Sequence, residues 1–183
     1  NSGGNSSRPI DGAGGNSNSS TENAGTSDEP ITNPSEVAAK LKVPTSEEQA
    51  PIRAQVNTTF ELSERKPLEE TLADARQLLE VGREPSDNST ERYVLLATAA
   101  RLAAESGDLS AALDAVSVID NEYDADASSM RMYLADRFVN SKASAVDKAR
   151  QLNLIVQVLD EGLSHDHFDA VDELIADLAR NKL

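Results

Sequence analysis

The chain has 183 residues and a net charge of −15, from 17 basic and 32 acidic side chains, with no cysteine and only 3% aromatic residues. This charge works against binding to nucleic acid or to an anionic membrane surface, because a phosphate-binding face needs clustered lysine and arginine. The lack of cysteine excludes disulfides and thiolate metal sites. The sequence contains no run of eighteen apolar residues, the length that would predict a membrane-spanning helix.

Residues 1–34 differ in composition from the rest of the chain. They consist mainly of Asn, Ser, Gly and Thr, and Ile10 is the one large aliphatic residue among the first thirty. Such a segment cannot bury enough apolar surface to offset the entropy of ordering its backbone. We therefore expect a disordered, flexible tether that acts as a spacer. Because the chain begins with Asn1, we also expect it to be part of a longer protein.

From residue 35 onward, apolar residues recur three and four positions apart, which predicts an α-helical repeat-like domain over residues 35–183. A capping box of Thr45 and Glu48 begins the first helix, whose start Pro51 is expected to bend or shorten. No stretch alternates with period two, so no sheet is predicted. The fold class is all-α, built of antiparallel helical hairpins, with seven helices starting near residues 45, 67, 89, 108, 125, 144 and 166.

The third and fourth helices carry the most specific pattern. The third is apolar almost all round, so we expect it at the centre of the domain. Its one narrow polar stripe is predicted to consist of Glu91, Thr98, Arg101 and Glu105. The turn Ser106–Asp108 joins it to the fourth, which Asp108 is expected to cap. Small residues, Ala100 and Ala112, lie where the two helices meet. This hairpin is similar to a tetratricopeptide repeat, and the sixth and seventh helices repeat it loosely, with Ala170 matching Ala112. The spacing of 58 residues, not 34, argues against a regular tandem array.

The fifth helix carries an apolar face of its own. Met130, Leu134 and Phe138 lie four residues apart, with Tyr133 beside them. Apolar rows of this kind are interpreted first as core and only second as a binding groove.

The run from residue 40 to 138 resembles a helical segment of large exported multidomain proteins of planctomycete-type bacteria. The resemblance includes loops as well as apolar spacing. It implies an exported accessory region located beside other modules, some of them carbohydrate-binding or enzymatic, and it supplies no site residues. It rests on VP-x-S-E-E-Q, K-P-L-E-E, E-R-Y-V-L-L, A-x-L-A-A-E-S-G-D and D-A-D-A, at Val43–Gln49, Lys66–Glu70, Glu91–Leu96, Ala100–Asp108 and Asp124–Ala127.

Two clusters contain metal-ligand residue types. His165, Asp166, His167 and Asp169 would need further ligands for zinc, so we favour Asp166 as a helix cap with both histidines in solvent. The second cluster is an acidic connection between the fourth and fifth helices. A calcium loop needs Gly at its sixth place and Glu at its twelfth, and neither register supplies them, so an ordinary capped loop is predicted. Its acids are Asp120, Glu122, Asp124 and Asp126.

Motifs for catalysis are missing from the sequence. Adjacent carboxylates such as Glu69-Glu70 and Asp172-Glu173 are expected in so acidic a chain and do not indicate acid–base chemistry. No nucleophile elbow, phosphate-binding loop or dinucleotide glycine pattern occurs. We therefore predict no catalytic, cofactor-binding or metal-binding residues.

These observations favour a non-catalytic helical-repeat module that mediates protein–protein association or braces adjacent domains in an exported protein. Its predicted partners are another protein or neighbouring domains of the same polypeptide. One alternative is an accessory region of an extracellular enzyme or carbohydrate-binding protein whose active domain lies outside this chain. Another is a helical bundle that binds a small ligand, for instance a divalent cation at residues 120–126.

Overall fold

The computed structural model describes residues 39–62 and 66–183, and the predicted tether at residues 1–34 lies outside them. The described residues contain no β-strand, which confirms the all-α class, and none of their helices is long and apolar enough to cross a bilayer. They form eight α-helices: α1 Ser46–Thr59, α2 Leu68–Arg83, α3 Ser89–Glu105, α4 Leu109–Glu122, α5 Ala127–Val139, α6 Ala145–Ala149, α7 Leu152–Ser164 and α8 Phe168–Asn181.

Helix α1 begins at the predicted capping box. The backbone N–H of Glu48 donates to Thr45 Oγ1 at 3.3 Å, and the Glu48 carboxylate accepts from the Thr45 backbone N–H at 2.7 Å. Two N–H groups at the helix start are thereby satisfied. The helix continues through Pro51 to Thr59, so its start is not shortened. Upstream, the extended backbone at Leu41 forms an isolated parallel bridge with Tyr123.

Helix α3 lies at the centre of the domain, as its apolar composition predicts. It contacts α1, α2, α4 and α5, and nine of its residues are buried. Thr98, predicted on its polar stripe, is among them, whereas Arg101 reaches solvent. Helices α1, α3, α5 and α8 contact one another in that order, and α2, α4 and α7 pack against this row. The sequential pairs α2–α3, α3–α4, α4–α5 and α7–α8 pack against each other, which is consistent with helical hairpins, whereas α1 packs on α3 and not on α2.

The α3–α4 turn is closed by a Schellman motif. Asp108 N–H donates to Ala103 O at 2.9 Å and Gly107 N–H donates to Ala104 O at 3.1 Å. Gly107 has φ of +89°, the left-handed conformation that favours glycine. A Cβ there would lie 2.3 Å from Ala143 Cβ. Asp108 then caps α4 by accepting from Ala111 N–H at 3.0 Å.

The predicted sixth helix is two helices, so the prediction of seven was wrong by one. The chain leaves helical geometry between α6 and α7, where nearby side chains bond to other elements of the fold. Gln151 Nε2 donates to Gly107 O at 2.9 Å, and Gln151 Oε1 accepts from Ser110 N–H at 3.2 Å. Lys148 Nζ donates to the carbonyl oxygens of Val139 and Ser141, both at 2.7 Å. These bonds attach the break to the α3–α4 turn and to the end of α5.

The predicted correspondence between the third–fourth and sixth–seventh helices holds for the hairpins α3–α4 and α7–α8, but the matching positions are shifted by one residue. Ser164 ends α7 as Glu105 ends α3, a spacing of 59 residues. The counterpart of Ala112 is therefore the buried Val171, and Ala170 is exposed. Gly162 provides the small residue, since a Cβ there would lie 3.0 Å from Val171 Cγ2. Gly162 on α7 thus leaves room for the larger Val171 on α8, so the two helices can still approach closely.

Candidate functional site

A groove runs along the row α1, α3, α5 and α8. Its first part is a hollow of about 350 Å³ between α1, α3 and α5. Short side chains on α3 leave this space open, because Ala97 and Thr98 do not reach across to α5. The half-buried Met130 and the exposed Tyr133 line the α5 side. The result is an apolar floor bordered by polar side chains.

Tyr133 stands where this hollow meets a second one, and we call the whole feature the Tyr133 groove. Tyr133 is 47% exposed. Its hydroxyl accepts from Arg137 Nε at 3.0 Å, and the guanidinium carbon lies 5.1 Å from the ring centroid. Glu105 connects Arg137 to Arg101, with nitrogen–oxygen distances of 3.9 and 2.9 Å. These contacts fix one wall of the groove.

Arg53 brings a further positive charge to the α1 side. Its Nη2 donates to Gln49 Oε1 at 2.5 Å, and Gln49 Nε2 donates to Pro44 O at 2.6 Å. Within the described ranges, Arg53 has no carboxylate partner. In a chain with a net charge of −15, this end of the groove is locally basic.

The second hollow, of about 250 Å³, lies between α5 and α8 and carries the opposite charge. Asp136 and Glu173 line it. Asn140 Nδ2 donates to Asp136 Oδ1 at 2.8 Å and also to Asp177, whose side chain is on α8 and only 5% of whose surface is exposed. Burial, followed by repulsion from Asp177, raises the pKa of Asp136. The groove is therefore basic towards α1 and acidic towards α8.

Asp136→Asn is expected to stabilise the fold at neutral pH and to lose that advantage in acid. A carboxyl whose pKa is raised by folding favours the folded state only while protonated, so its ionisation lowers stability as the pH rises through the folded-state pKa. As the pH falls to about 3, below the ordinary aspartate pKa, the carboxyl becomes protonated in both states and the stabilities of variant and wild type should converge. Thermal melts from pH 3 to 8 measure this. A constant difference across that range would contradict it.

The residues of the predicted zinc candidate do not converge on one point. His165 Nδ1 lies 2.9 Å from Glu161 O, and the side chain is exposed. His167 is partly buried, with Nε2 4.0 Å from Asp126 Oδ1 and 3.5 Å from Ser129 Oγ. The expectation that both histidines face solvent was thus wrong for His167. In residues 39–62 and 66–183, no three His, Asp or Glu side chains are grouped as metal ligands.

Asp166 does not cap α8, and the capping expectation was wrong. It has φ of +61° and occupies the left-handed position of a second Schellman motif, in which His167 N–H donates to Gly162 O at 2.9 Å. The N-cap of α8 is His167, without a side-chain capping bond. Asp169, the fourth member of the candidate, lies exposed in the first turn of α8.

Asp166→Gly is expected to raise the free energy of unfolding by about 0.5–1 kcal/mol, because glycine adopts this backbone conformation without a Cβ clash. Urea denaturation followed by circular dichroism measures the change. Asp169→Gly, inside the first turn of α8 at an ordinary helical position, is the matched control and should destabilise instead. A loss of stability in Asp166→Gly would contradict this explanation of the turn.

The acidic connection at residues 120–126 is neutralised by the chain itself. Asp120 Oδ2 lies 3.0 Å from Arg131 and Glu122 Oε1 lies 2.7 Å from Arg92. Burial opposes ionisation of Asp120, but hydrogen bonds from Arg131 and Lys40 outweigh it and lower its pKa. The remaining acids have separate roles: the Asp124 backbone pairs with Leu41, and Asp126 caps α5 through Ser129 N–H. The carboxylates of Asp120, Glu122 and Asp126 are therefore engaged with separate partners and do not converge on one point.

The Tyr133 groove was not predicted from the sequence. The spacing placed Tyr133 beside the core row of α5, and nothing local distinguishes an exposed tyrosine from one that packs inside. The sequence does contain arginines at residues 53, 101 and 137, but they come together only when α1, α3 and α5 are adjacent. Their number alone therefore does not predict a groove.

Comparison of the chain with protein-family models, with curated proteins and with solved structures gives no match.

Proposed function

We propose that the chain is a helical module for protein–protein association, and that the Tyr133 groove holds a segment of the partner protein. The observation that carries this proposal is the position of Tyr133, an exposed aromatic side chain at the junction of two hollows. Tyr, Met and Arg are the residues enriched at protein interfaces, and this groove combines all three types.

The contrast with the other tyrosines supports this choice. Tyr93 and Tyr123 pack against each other with ring centroids 5.2 Å apart, and the Tyr123 hydroxyl donates to Ser89 O at 2.7 Å. They hold α3 and α4 together. Tyr133 has no such packing role, since its hydroxyl contacts the exposed Arg137 of the same helix. An aromatic side chain in this position is available to a ligand.

The charges of the groove suggest how a partner segment would be oriented. Arg53 and Arg101 border the hollow near α1, and Asp136 and Glu173 border the one near α8. A segment with an acidic residue at one end and a basic residue at the other complements both. Such complementarity determines orientation and specificity more than affinity.

A peptide-display selection against the full chain tests the proposal. Peptides that bind the groove should lose at least about tenfold in affinity with Tyr133→Ala, because truncation of an interface hot spot costs more than about 1.4 kcal/mol. Val146→Ala, a similarly exposed apolar site on α6, is the matched control and should bind normally. Both variants should keep the wild-type melting temperature to within a few degrees. Selected peptides that bind Tyr133→Ala as well as wild type would overturn the proposal.

The exported location and the bracing of adjacent domains stay predictions that rest on the sequence resemblance. Within the proposal, the same groove would receive either a separate protein or a neighbouring segment of one long polypeptide. Deleting this module from its parent protein and measuring the parent's thermal stability distinguishes the two, since only bracing lowers it.

A further inference from the structure

Helices α7 and α8 leave a second apolar surface uncovered, and none of its residues lines the Tyr133 groove. Val156 and Leu163 lie seven residues apart on α7, and Phe168 and Ile175 lie seven apart on α8. These four side chains are between 48% and 62% exposed. We call these four residues the α7–α8 face. The half-buried Leu159 continues the row on α7.

Both rows point to the same side of the hairpin. Successive residues of a helix are turned by about 100°. On α7, Glu161 pairs with Arg131 of α5, a Cβ on Gly162 would contact Val171 of α8, and Leu163 is exposed. The order on α8 is the same: Asp177 accepts from Asn140 beside α5, Val171 meets α7, and Ile175 is exposed. For two antiparallel helices, this common order places both exposed rows on the outer side, away from α5.

The shape of this face suits one further helix. A helix lying in the furrow between two others contacts both at an interaxial distance of about 8–10 Å. Helices α7 and α8 have 13 and 14 residues, so the furrow is about 20 Å long and accepts about four helical turns. The heptad spacing of the exposed residues is the spacing that a packed helix requires.

Negative charge around the α7–α8 face favours a partner helix with basic residues. Asp160 on α7 and Asp169 and Asp172 on α8 are exposed beside the apolar rows. Among the described residues none of these three carboxylates has an ion-pair partner, whereas every acid of α4 has one. A second copy of the chain would bring these carboxylates opposite one another. A helix with lysine or arginine beside its apolar row would neutralise them.

We propose that the α7–α8 face binds an amphipathic helix of a partner protein with basic residues flanking its apolar row. This binding is independent of the Tyr133 groove and adds a second point of attachment. The preference for basic flanks follows from the three carboxylates, and the need for an apolar row follows from the four exposed apolar side chains.

Fluorescence anisotropy with two labelled helical peptides, each long enough to fill the furrow, tests this. Both carry leucine in heptad spacing, one with lysine flanks and the other with glutamate flanks. The full chain should bind the lysine peptide at least about tenfold more tightly. The variant Phe168→Ser/Ile175→Ser should lose at least about tenfold in affinity, and Asp160→Lys/Asp172→Lys should reverse the preference between the peptides. Tyr133→Ala should bind both peptides as wild type does, which separates this surface from the groove.

Three results would overturn the proposal. The peptides could bind equally, the apolar double variant could bind the lysine peptide as wild type does, or sedimentation could show a dimer that Ile175→Ser dissociates. The last result would assign the face to a second copy. Because all substituted side chains are exposed, circular dichroism should confirm that each variant keeps its helices.

Discussion

Gly107→Ala is expected to lower the free energy of unfolding by about 2–4 kcal/mol. Two costs add: an alanine at φ of +89° carries about 1–2 kcal/mol of backbone strain, and the new Cβ must push away the Ala143 Cβ at 2.3 Å. The α3–α4 turn also receives Gln151 at the start of α7, so movement of the turn would loosen that contact too. Urea denaturation followed by helical circular dichroism measures the loss.

The double variant Gly107→Ala/Ala143→Gly separates these two costs. Removing the Ala143 Cβ relieves the steric overlap and leaves the backbone strain, so the double variant should recover part of the stability but not all of it. Ala143→Gly alone gives the baseline for the cycle. Equal loss in the single and double variants would show that Ala143 does not limit the turn.

Lys148→Met is expected to cost about 2–3 kcal/mol, because methionine keeps much of the volume and leaves two carbonyl oxygens without a donor. The Lys148 side chain is only 6% exposed, and its ammonium donates to the carbonyls of Val139 and Ser141, at and just beyond the end of α5. Burial lowers the pKa of Lys148, so the charge is itself costly to bury and this offsets part of the loss. Urea denaturation measures the difference.

Lys142→Met is the matched control for Lys148→Met. Lys142 is exposed and lies in the connection between α5 and α6, so its replacement should change stability by less than about 0.5 kcal/mol. A hydrogen-exchange measurement would add detail, because loss of the Lys148 bonds should reduce protection at the end of α5 first. Equal effects at the two lysines would refute a capping role for Lys148.

The sequence predicts those parts of the fold that depend on local chemistry. The capping box at Thr45, the cap at Asp108 and the central position of α3 all follow from residues a few positions apart. The division of the sixth helix was not predicted, and the Gln151 side chain at the break bonds to a turn some forty residues earlier, a contact that no local pattern shows. The same holds for Asp166, whose side-chain type is typical of a cap but whose backbone ends α7.

The candidate surfaces were less predictable than the helices. An apolar row predicts that one side of a helix is buried, and it does not identify which neighbour covers it. Tyr133 and Ile175 both belong to such rows, and only the packing of α5 and α8 shows that each is exposed. Charges that come together from α1, α3 and α5 are equally invisible before the helices are placed.

The most direct test of the central proposal is chemical-shift mapping by NMR during titration of the full chain with a selected groove-binding peptide. Shift changes should concentrate around Ala97, Met130 and Tyr133, saturate at one peptide per chain, and require at least about tenfold more peptide with Tyr133→Ala. Shift changes confined to α7 and α8, or spread evenly over the acidic surface, would contradict the proposal that the Tyr133 groove is the site of association.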